Sequence, residues 1–308
     1  MKLLITGGSG LFGSKFAKVA LARKIEVYSA DIQNLSEYGN FVKLNITNKE
    51  AVEKAFRAVE PDVVVHAASL TDVDKCEINK ELAWKINVDG TKNILKSTRK
   101  INSFLVYIST DYVFNGEKGC YLESDAANPI NYYGLTKLAA EKLVQTGEEF
   151  LIARPSVIYG STPAAGKVNF ALWLIETLRK GEKVKIIEDQ WNTPTLNTNL
   201  AEMILEAIER KLTGVYHLCG ATRVSRLEFA QMLAETFGLD RALIEAGCSS
   251  QFSWPAKRPE DSSLDTLKAQ RTFNCKPLKI AEALEQLKHE LLNKQLKETD
   301  SINRINTY

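Results

Sequence analysis

Tyr133 and Lys137 stand four residues apart in the stretch Asn131-Tyr132-Tyr133-Gly134-Leu135-Thr136-Lys137. Four residues is about one helical turn, so on a helix opened by Asn131 both side chains share a face. A free tyrosine keeps its proton up to a pKa of about 10. A neighbouring ammonium favours the phenolate and lowers that value, so the pair can exchange a proton near neutral pH. By itself the pattern is common, and its meaning depends on what the rest of the chain brings beside it. Thr110, in Ser109-Thr110-Asp111-Tyr112-Val113-Phe114, is the first such partner: it ends an apolar run over 103–108. Active sites of parallel sheets lie at the carboxyl ends of strands, so a substrate hydroxyl or carbonyl would dock there.

These side chains need a frame, and the first half of the sequence predicts one. Lys2 to Thr6 is an apolar strand that ends in Gly7-Gly8-Ser9-Gly10-Leu11-Phe12-Gly13, and a helical pattern runs on to about Arg23. Glycines at 7, 10 and 13 permit a tight turn and the approach of a pyrophosphate to a helix N-terminus. Directly between a first strand and a helix, the pattern points to a dinucleotide. Asp31 ends the second strand, Glu26 to Ala30, roughly where an adenosine ribose would be hydrogen-bonded. A carboxylate there favours NAD(H) over a 2′-phosphate, with Lys15 and Lys43 as nearby cations. Phe41 to Leu44 is a third strand, followed by a helix capped near Thr47 or Asn48. Val63 to Ala68 reads as a buried parallel strand ending in small residues, and His66 within it as a packed core histidine. A helix carrying Ala83, Trp84, Ile86, Val88, Ile94 and Leu95 has Asn87 in its middle. Asn87 is either a helix-surface residue or bound to a backbone carbonyl or water beside Lys137. Ser103 to Ser109 and Phe150 to Ala153 complete six strands alternating with helices, which defines a doubly wound α/β sheet.

Composition sets the outer bounds. The chain has 308 residues, 44% hydrophobic and 25% charged, which is ordinary for a globular protein. A formal net charge of +2 gives no electrostatic case for nucleic acid or an anionic membrane. Five scattered cysteines without a Cys-x-x-Cys pair read as reduced thiols of a cytoplasmic protein. The three histidines have no second ligand candidate near them in sequence, so no metal site is expected. No apolar run approaches the roughly 18 residues of a membrane span, and the apolar N-terminus is too short for a signal peptide.

The expected organisation is a dinucleotide-binding domain over 1–155, with returning elements near 185–218, a smaller α/β substrate-binding part over 156–296, and a polar tail over 297–308. From about Gly166 the strand–helix rhythm loosens. Helices are expected over 170–179, 197–211 (capped at Asn197), 225–237 and 279–294, and strands over 183–187 and 214–218. In the proline-rich basic loop 254–259, Arg258 is either a solvated loop arginine or a partner for a substrate diphosphate. Trp191 either closes over a substrate or packs under a loop.

Taken together, the glycine turn, Ser109-Thr110 and Tyr133-x-x-x-Lys137 resemble the extended short-chain dehydrogenase/reductase family. Within it the chain is similar to the group that reduces dTDP-4-dehydrorhamnose. Thr71-Asp72-Val73-Asp74-Lys75-Cys76-Glu77, Ser109 to Phe114, Asn131 to Lys137, Asp189 to Thr195 and Arg258 to Asp265 carry that similarity. The resemblance implies a Rossmann-type fold and NADPH- or NADH-dependent reduction of the C4 ketone of a nucleotide-linked 4-keto-6-deoxy sugar. Tyr133 would protonate the sugar oxygen, Lys137 would lower its pKa and bind the nicotinamide ribose, and Thr110 would bond the same oxygen. It places Gly7, Gly10, Leu11, Phe12 and Gly13 on the pyrophosphate, Asp31 and Ile32 at the ribose, and Asn45 and Ile46 beside the adenine. Ala67, Ala68, Ser69, Asn87, Ser109 and Pro155 would line the path to the nicotinamide, and Asp111, Tyr112, Trp191 and Arg258 would face the substrate. A homodimer is also compatible with it.

The sequence departs from the group's pattern at Asn45, where relatives carry an acid, and at Val157, where they carry a sugar-contacting tryptophan. Asp31 favours NAD(H), whereas the group is usually described with NADPH. Two other functions share the resemblance: an NAD-dependent sugar-nucleotide epimerase, and a non-catalytic regulatory subunit of methionine adenosyltransferase type. A dehydratase is disfavoured, because Tyr112 stands where its catalytic glutamate would be.

Overall fold

The computed structural model describes residues 1–162 and 168–305. Its first half alternates β1 (Lys2–Thr6), α1 (Leu11–Ala22), β2 (Glu26–Asp31), β3 (Asn40–Lys43), α2 (Lys49–Val59) and β4 (Val63–His66). The short helices α3 (Val73–Ile78) and α4 (Lys80–Trp84) follow, then a π-turn over Lys85–Asp89 and α5 (Gly90–Lys100). β5 (Phe104–Ile108), α6 (Tyr132–Val144) and β6 (Phe150–Ala153) complete this half. The expected single helix through Asn87 is therefore a broken one.

The later elements are β7 (Ser156–Tyr159), α7 (Phe170–Arg179), β8 (Val184–Ile187), β9 (Trp191–Asn192), β10 (Pro194–Leu196) and α8 (Asn197–Glu209). β11 (Gly214–Tyr216), β12 (Val224–Ser225), α9 (Arg226–Phe237), β13 (Ile244–Gly247), α10 (Leu267–Thr272) and α11 (Ile280–Ile305) end the chain. α11 continues past the expected stop at Lys294, and the last residues of the expected tail, 306–308, lie outside the described residues. α9 begins with a full capping box, Ser225 and Glu228 exchanging side-chain and backbone bonds.

Seven parallel strands form the central sheet in the order β11-β6-β5-β4-β1-β2-β3. The order reverses between β1 and β4, where Thr6 lies beside His66. At such a switch point connections leave in opposite directions and open a crevice at the strand ends. The two segments that follow these strands, 7–13 and 67–70, border it.

One sheet face is covered by α1 and α8, through Phe12, Phe16, Ala20, Leu200, Met203 and Ile204. The other is covered by α2, α5 and α6, through Val52, Phe56, Ile94, Leu95, Ala140 and Val144. A separate core joins Leu174, Ile186, Phe229, Leu233, Leu284 and Leu287 of the C-terminal elements. β8 belongs there, paired with β13, so the elements that return to the central sheet are α8 and β11. No helix among the described residues is long and apolar enough to cross a membrane.

Candidate active site

The crevice begins with the glycine turn. Gly7 has φ +73°, and its carbonyl accepts from the Gly10 amide at 3.0 Å. A methyl on Gly13 would stand 2.1 Å from that carbonyl oxygen, so only glycine lets α1 start this close to the turn. No side chain caps α1 at Gly10, and the amides of Leu11, Phe12 and Gly13 make an electropositive end suited to a pyrophosphate. The Ser109 hydroxyl, at the end of β5, is buried and has no hydrogen-bond partner among the described residues. The glycine cradle and this orphaned hydroxyl fit a dinucleotide.

The adenosine end is more varied. Asp31 accepts from the Ser9 amide at 3.0 Å and the Ile32 amide at 2.7 Å; it braces the turn and keeps lone pairs for a ribose. Ile32 is exposed. Lys43 lies beside Asp31 in the β2–β3 register. Lys15 is turned away, buried with Glu290 at 2.7 Å and with Ser161, so it offers nothing to a 2′-phosphate. Asn45 is exposed and accepts from the Thr47 amide and hydroxyl, while the Ile46 side chain is in the core. Asn197, expected to cap α8, is its first residue and donates instead to the Leu11 carbonyl at 3.2 Å.

Ala67, Ala68 and Ser69 leave β4 along the crevice, the Ala67 amide bonded to the Thr6 carbonyl. Asn87, on the π-turn, is buried rather than on a helix surface. Its Oδ1 accepts from the Ser69 hydroxyl and the Leu70 amide; its Nδ2 donates to the Leu70 carbonyl and to Thr136 Oγ1 at 3.0 Å. Asn87 thus ties the crevice wall to the residue before Lys137. His66 packs as expected: Thr6 and Thr91 hold its ring, and burial lowers its pKa to about 3.

At the reacting end, Asn131 caps α6 by accepting from the Gly134 amide at 2.8 Å, which sets Tyr133 and Lys137 one turn apart. Gly134 packs against the Tyr112 carbonyl, so α6 lies directly on the 111–113 turn. Tyr133 consequently lies close to the Thr110 hydroxyl, which favours its ionised form. Burial, then the charge of Asp111 and the neighbouring Cys76 and Tyr112, push the Tyr133 pKa up, and the Thr110 contact opposes them. This corrects the expectation that Lys137 lowers it: in the polypeptide itself desolvation wins. Lys137 donates to the Ile108 carbonyl at 2.7 Å and lies over the Tyr107 ring. Burial lowers its pKa to about 7, against the opposing charge of Glu141.

The expected substrate residues divide. Tyr112 presents its ring edge to Tyr133, with centroids 6.1 Å apart. Asp111 is sealed: its backbone amide donates to the Pro155 carbonyl and its carboxylate is filled by hydroxyls. Arg258 is neither a solvated loop arginine nor an unpaired one. It forks onto Asp74 with two bonds of 2.7 Å and stacks on Trp254. Trp191 packs under Arg223, and β9 pairs with β12. Val157, in β7, has φ +39°, a left-handed conformation costly for a β-branched side chain.

One functional neighbour was overlooked in the sequence. Glu141 lies one turn beyond Lys137 and forks onto Arg154, with bonds of 2.9 and 2.6 Å, both groups buried. The same i, i+4 spacing that singled out Lys137 also marks Glu141.

The seven-stranded switch-point sheet, the glycine cradle and the Thr110–Tyr133–Lys137 set define a nicotinamide-dependent oxidoreductase of the short-chain dehydrogenase/reductase class. Residues 1–293 match the RmlD substrate binding domain family, and the chain belongs to it. It is 33% identical over 286 residues to a dTDP-4-dehydrorhamnose reductase of Escherichia coli (strain K12), covering 89% of this chain and 92% of that protein. A crystal structure of dTDP-4-dehydrorhamnose reductase from Bacillus anthracis in complex with NADP superposes with a TM-score of 0.86 at 28% identity, covering 94% of this chain and 99% of that one. The methionine adenosyltransferase 2 subunit beta of Xenopus laevis is 29% identical over 244 residues, 77% of this chain and 72% of that protein.

Proposed function

We propose that this protein uses NADPH or NADH to reduce the C4 ketone of a nucleotide-linked 4-keto-6-deoxy sugar, with dTDP-4-dehydro-L-rhamnose the leading substrate. The observation that carries this is Tyr133 held against Thr110 at the end of β5, one turn before Lys137. When bound, the nicotinamide supplies hydride to the carbonyl carbon. Tyr133, kept protonated by its surroundings, is equipped to give a proton to the carbonyl oxygen. Lys137, anchored on the Ile108 carbonyl, holds an ammonium near the phenolate that this step leaves. Tyr112 in place of an acid leaves no base for dehydration. The name of the E. coli relative supports the sugar, and the NADP complex of the B. anthracis protein supports the cofactor.

NADPH and NADH oxidation should be followed with dTDP- and UDP-linked 4-keto sugars. Consumption with the dTDP-4-keto-rhamnose substrate is expected, and consumption with another sugar alone would reassign the substrate. Tyr133→Phe should abolish turnover and leave cofactor affinity nearly intact; equal turnover in that variant sinks the catalytic reading. A regulatory subunit would show no turnover with any of them.

A further inference from the structure

We infer that Asp111 is a positioning residue, whose buried carboxylate orients the Thr110 hydroxyl and couples the C-terminal segment 260–264 to the proton donor. The inference rests on the reading of Tyr133 as that donor. Asp111 is 2% exposed, yet both its oxygens are engaged. Oδ1 accepts from Thr110 Oγ1 at 2.9 Å, and Oδ2 from Ser156 Oγ at 2.8 Å and Ser262 Oγ at 2.6 Å. A threonine hydroxyl has one proton and two lone pairs. Here the proton is committed to Asp111, and the Tyr112 amide occupies one lone pair at 3.2 Å. That commitment lasts only until Tyr133 ionises: the same proton can then turn to the phenolate oxygen, in keeping with a Thr110 contact that favours the ionised form. Asp111 thereby fixes where the Thr110 hydroxyl stands as Tyr133 gives up its proton.

The second half of the inference concerns Ser262. Its amide donates to the Trp191 carbonyl, the Asp261 amide to the Gly116 carbonyl, and the Tyr121 amide to the Ser263 carbonyl. The segment four residues beyond Arg258 is thus fixed to β9 and to the loop after Thr110, and a single hydroxyl links it to Asp111. Movement of this segment on substrate binding would reach Thr110 through that bond. The groups facing Tyr133 are Asp111, Tyr112 and Cys76, with Lys137 on its own helix; Cys219 faces Asp111. The Asp111 charge opposes ionisation of Tyr133.

The test is steady-state NADPH oxidation with dTDP-4-dehydrorhamnose over roughly pH 5 to 10, for the wild type, Asp111→Asn and Ser262→Ala, with NADPH affinity measured separately. Asp111→Asn is expected to lower kcat about tenfold or more, the scale of a lost charged hydrogen bond. KM and NADPH affinity should change by less than about twofold, and the alkaline limb set by Lys137 near pH 7 should stay. Ser262→Ala should likewise keep the limb while kcat falls about threefold; it carries the test if Asp111→Asn does not fold. An unchanged kcat in Asp111→Asn, an unchanged kcat in Ser262→Ala, or a loss confined to KM overturns the inference and leaves the Tyr133 reading standing. Absence of turnover in the wild type overturns both.

Discussion

Gly134→Ala is a sharp test of how the site is assembled. The residue follows Tyr133 in the first turn of α6, and an added methyl would stand 2.1 Å from the Tyr112 carbonyl oxygen and 2.9 Å from Pro129 Cβ. Ordinary contact begins near 3.4 Å, so α6 and the 111–113 turn must separate by about 1 Å. The nearer obstacle is backbone, which cannot rotate away. That displacement opens the contact between Tyr133 and Thr110. Misplacement of a catalytic group by about 1 Å costs on the order of 100-fold, or about 2.7 kcal/mol of barrier. Overpacking costs a further 1–3 kcal/mol or so of stability, of which the better helix propensity of alanine recovers at most about 1 kcal/mol. The assays are kcat with the best substrate, Tm, and NADPH affinity. A large fall in kcat, a Tm lower by about 2–8 °C and nearly unchanged NADPH affinity are expected, because the glycine cradle lies on another element. A variant with wild-type kcat and Tm would refute the claim that this contact sets the Tyr133–Thr110 geometry.

Two further perturbations follow from buried charges and rings. Glu141→Gln removes a carboxylate that raises the Lys137 pKa, so that pKa should fall below about 7, with activity at neutral pH declining as the ammonium is lost. It also strands Arg154 in the interior, at a stability cost of about 3–5 kcal/mol, readable by denaturant titration. Burial holds His66 and His217 near pKa 3, whereas the free side chain titrates near 6.5. The unfolded chain therefore takes up protons that the folded chain refuses, and stability present above about pH 6.5 is lost as pH falls toward 3. Tm measured from about pH 7.5 to 5 should fall, and a Tm rising over that range would contradict the burial of both rings.

Much of the sheet was legible because buried parallel strands leave apolar runs and glycine turns mark their ends. Strand β11 was visible as Gly214 to Leu218, within the range expected to return to the first half; that β8, in the same range, pairs with β13 was not legible, since pairing depends on contacts distant in sequence. The Tyr133–Lys137 pair and Thr110 could be read from spacing and from position after a strand. The state of their protons could not, because desolvation belongs to the folded interior and not to a pair of residue types. Arg258 shows the same limit: a loop arginine advertises a charge, and only the fold reveals Asp74 opposite it. For Asn87 the sequence left a helix-surface position and a bond to a carbonyl or water beside Lys137 both open, and its attachment to Ser69, Leu70 and the Thr136 hydroxyl became visible only with the π-turn that carries it.

The return of α8 and β11 to the central sheet makes this protein poorly divisible. α8 supplies much of the apolar cover over α1, and β11 shields the edge of β6, yet both lie downstream of the first C-terminal elements. A chain ended after Pro155 would expose the apolar face of α1 and leave β6 as an open edge prone to pairing with other chains. Exchange of substrate parts between relatives, whether by recombination or by design, therefore needs two junctions that keep 197–216 with the first half.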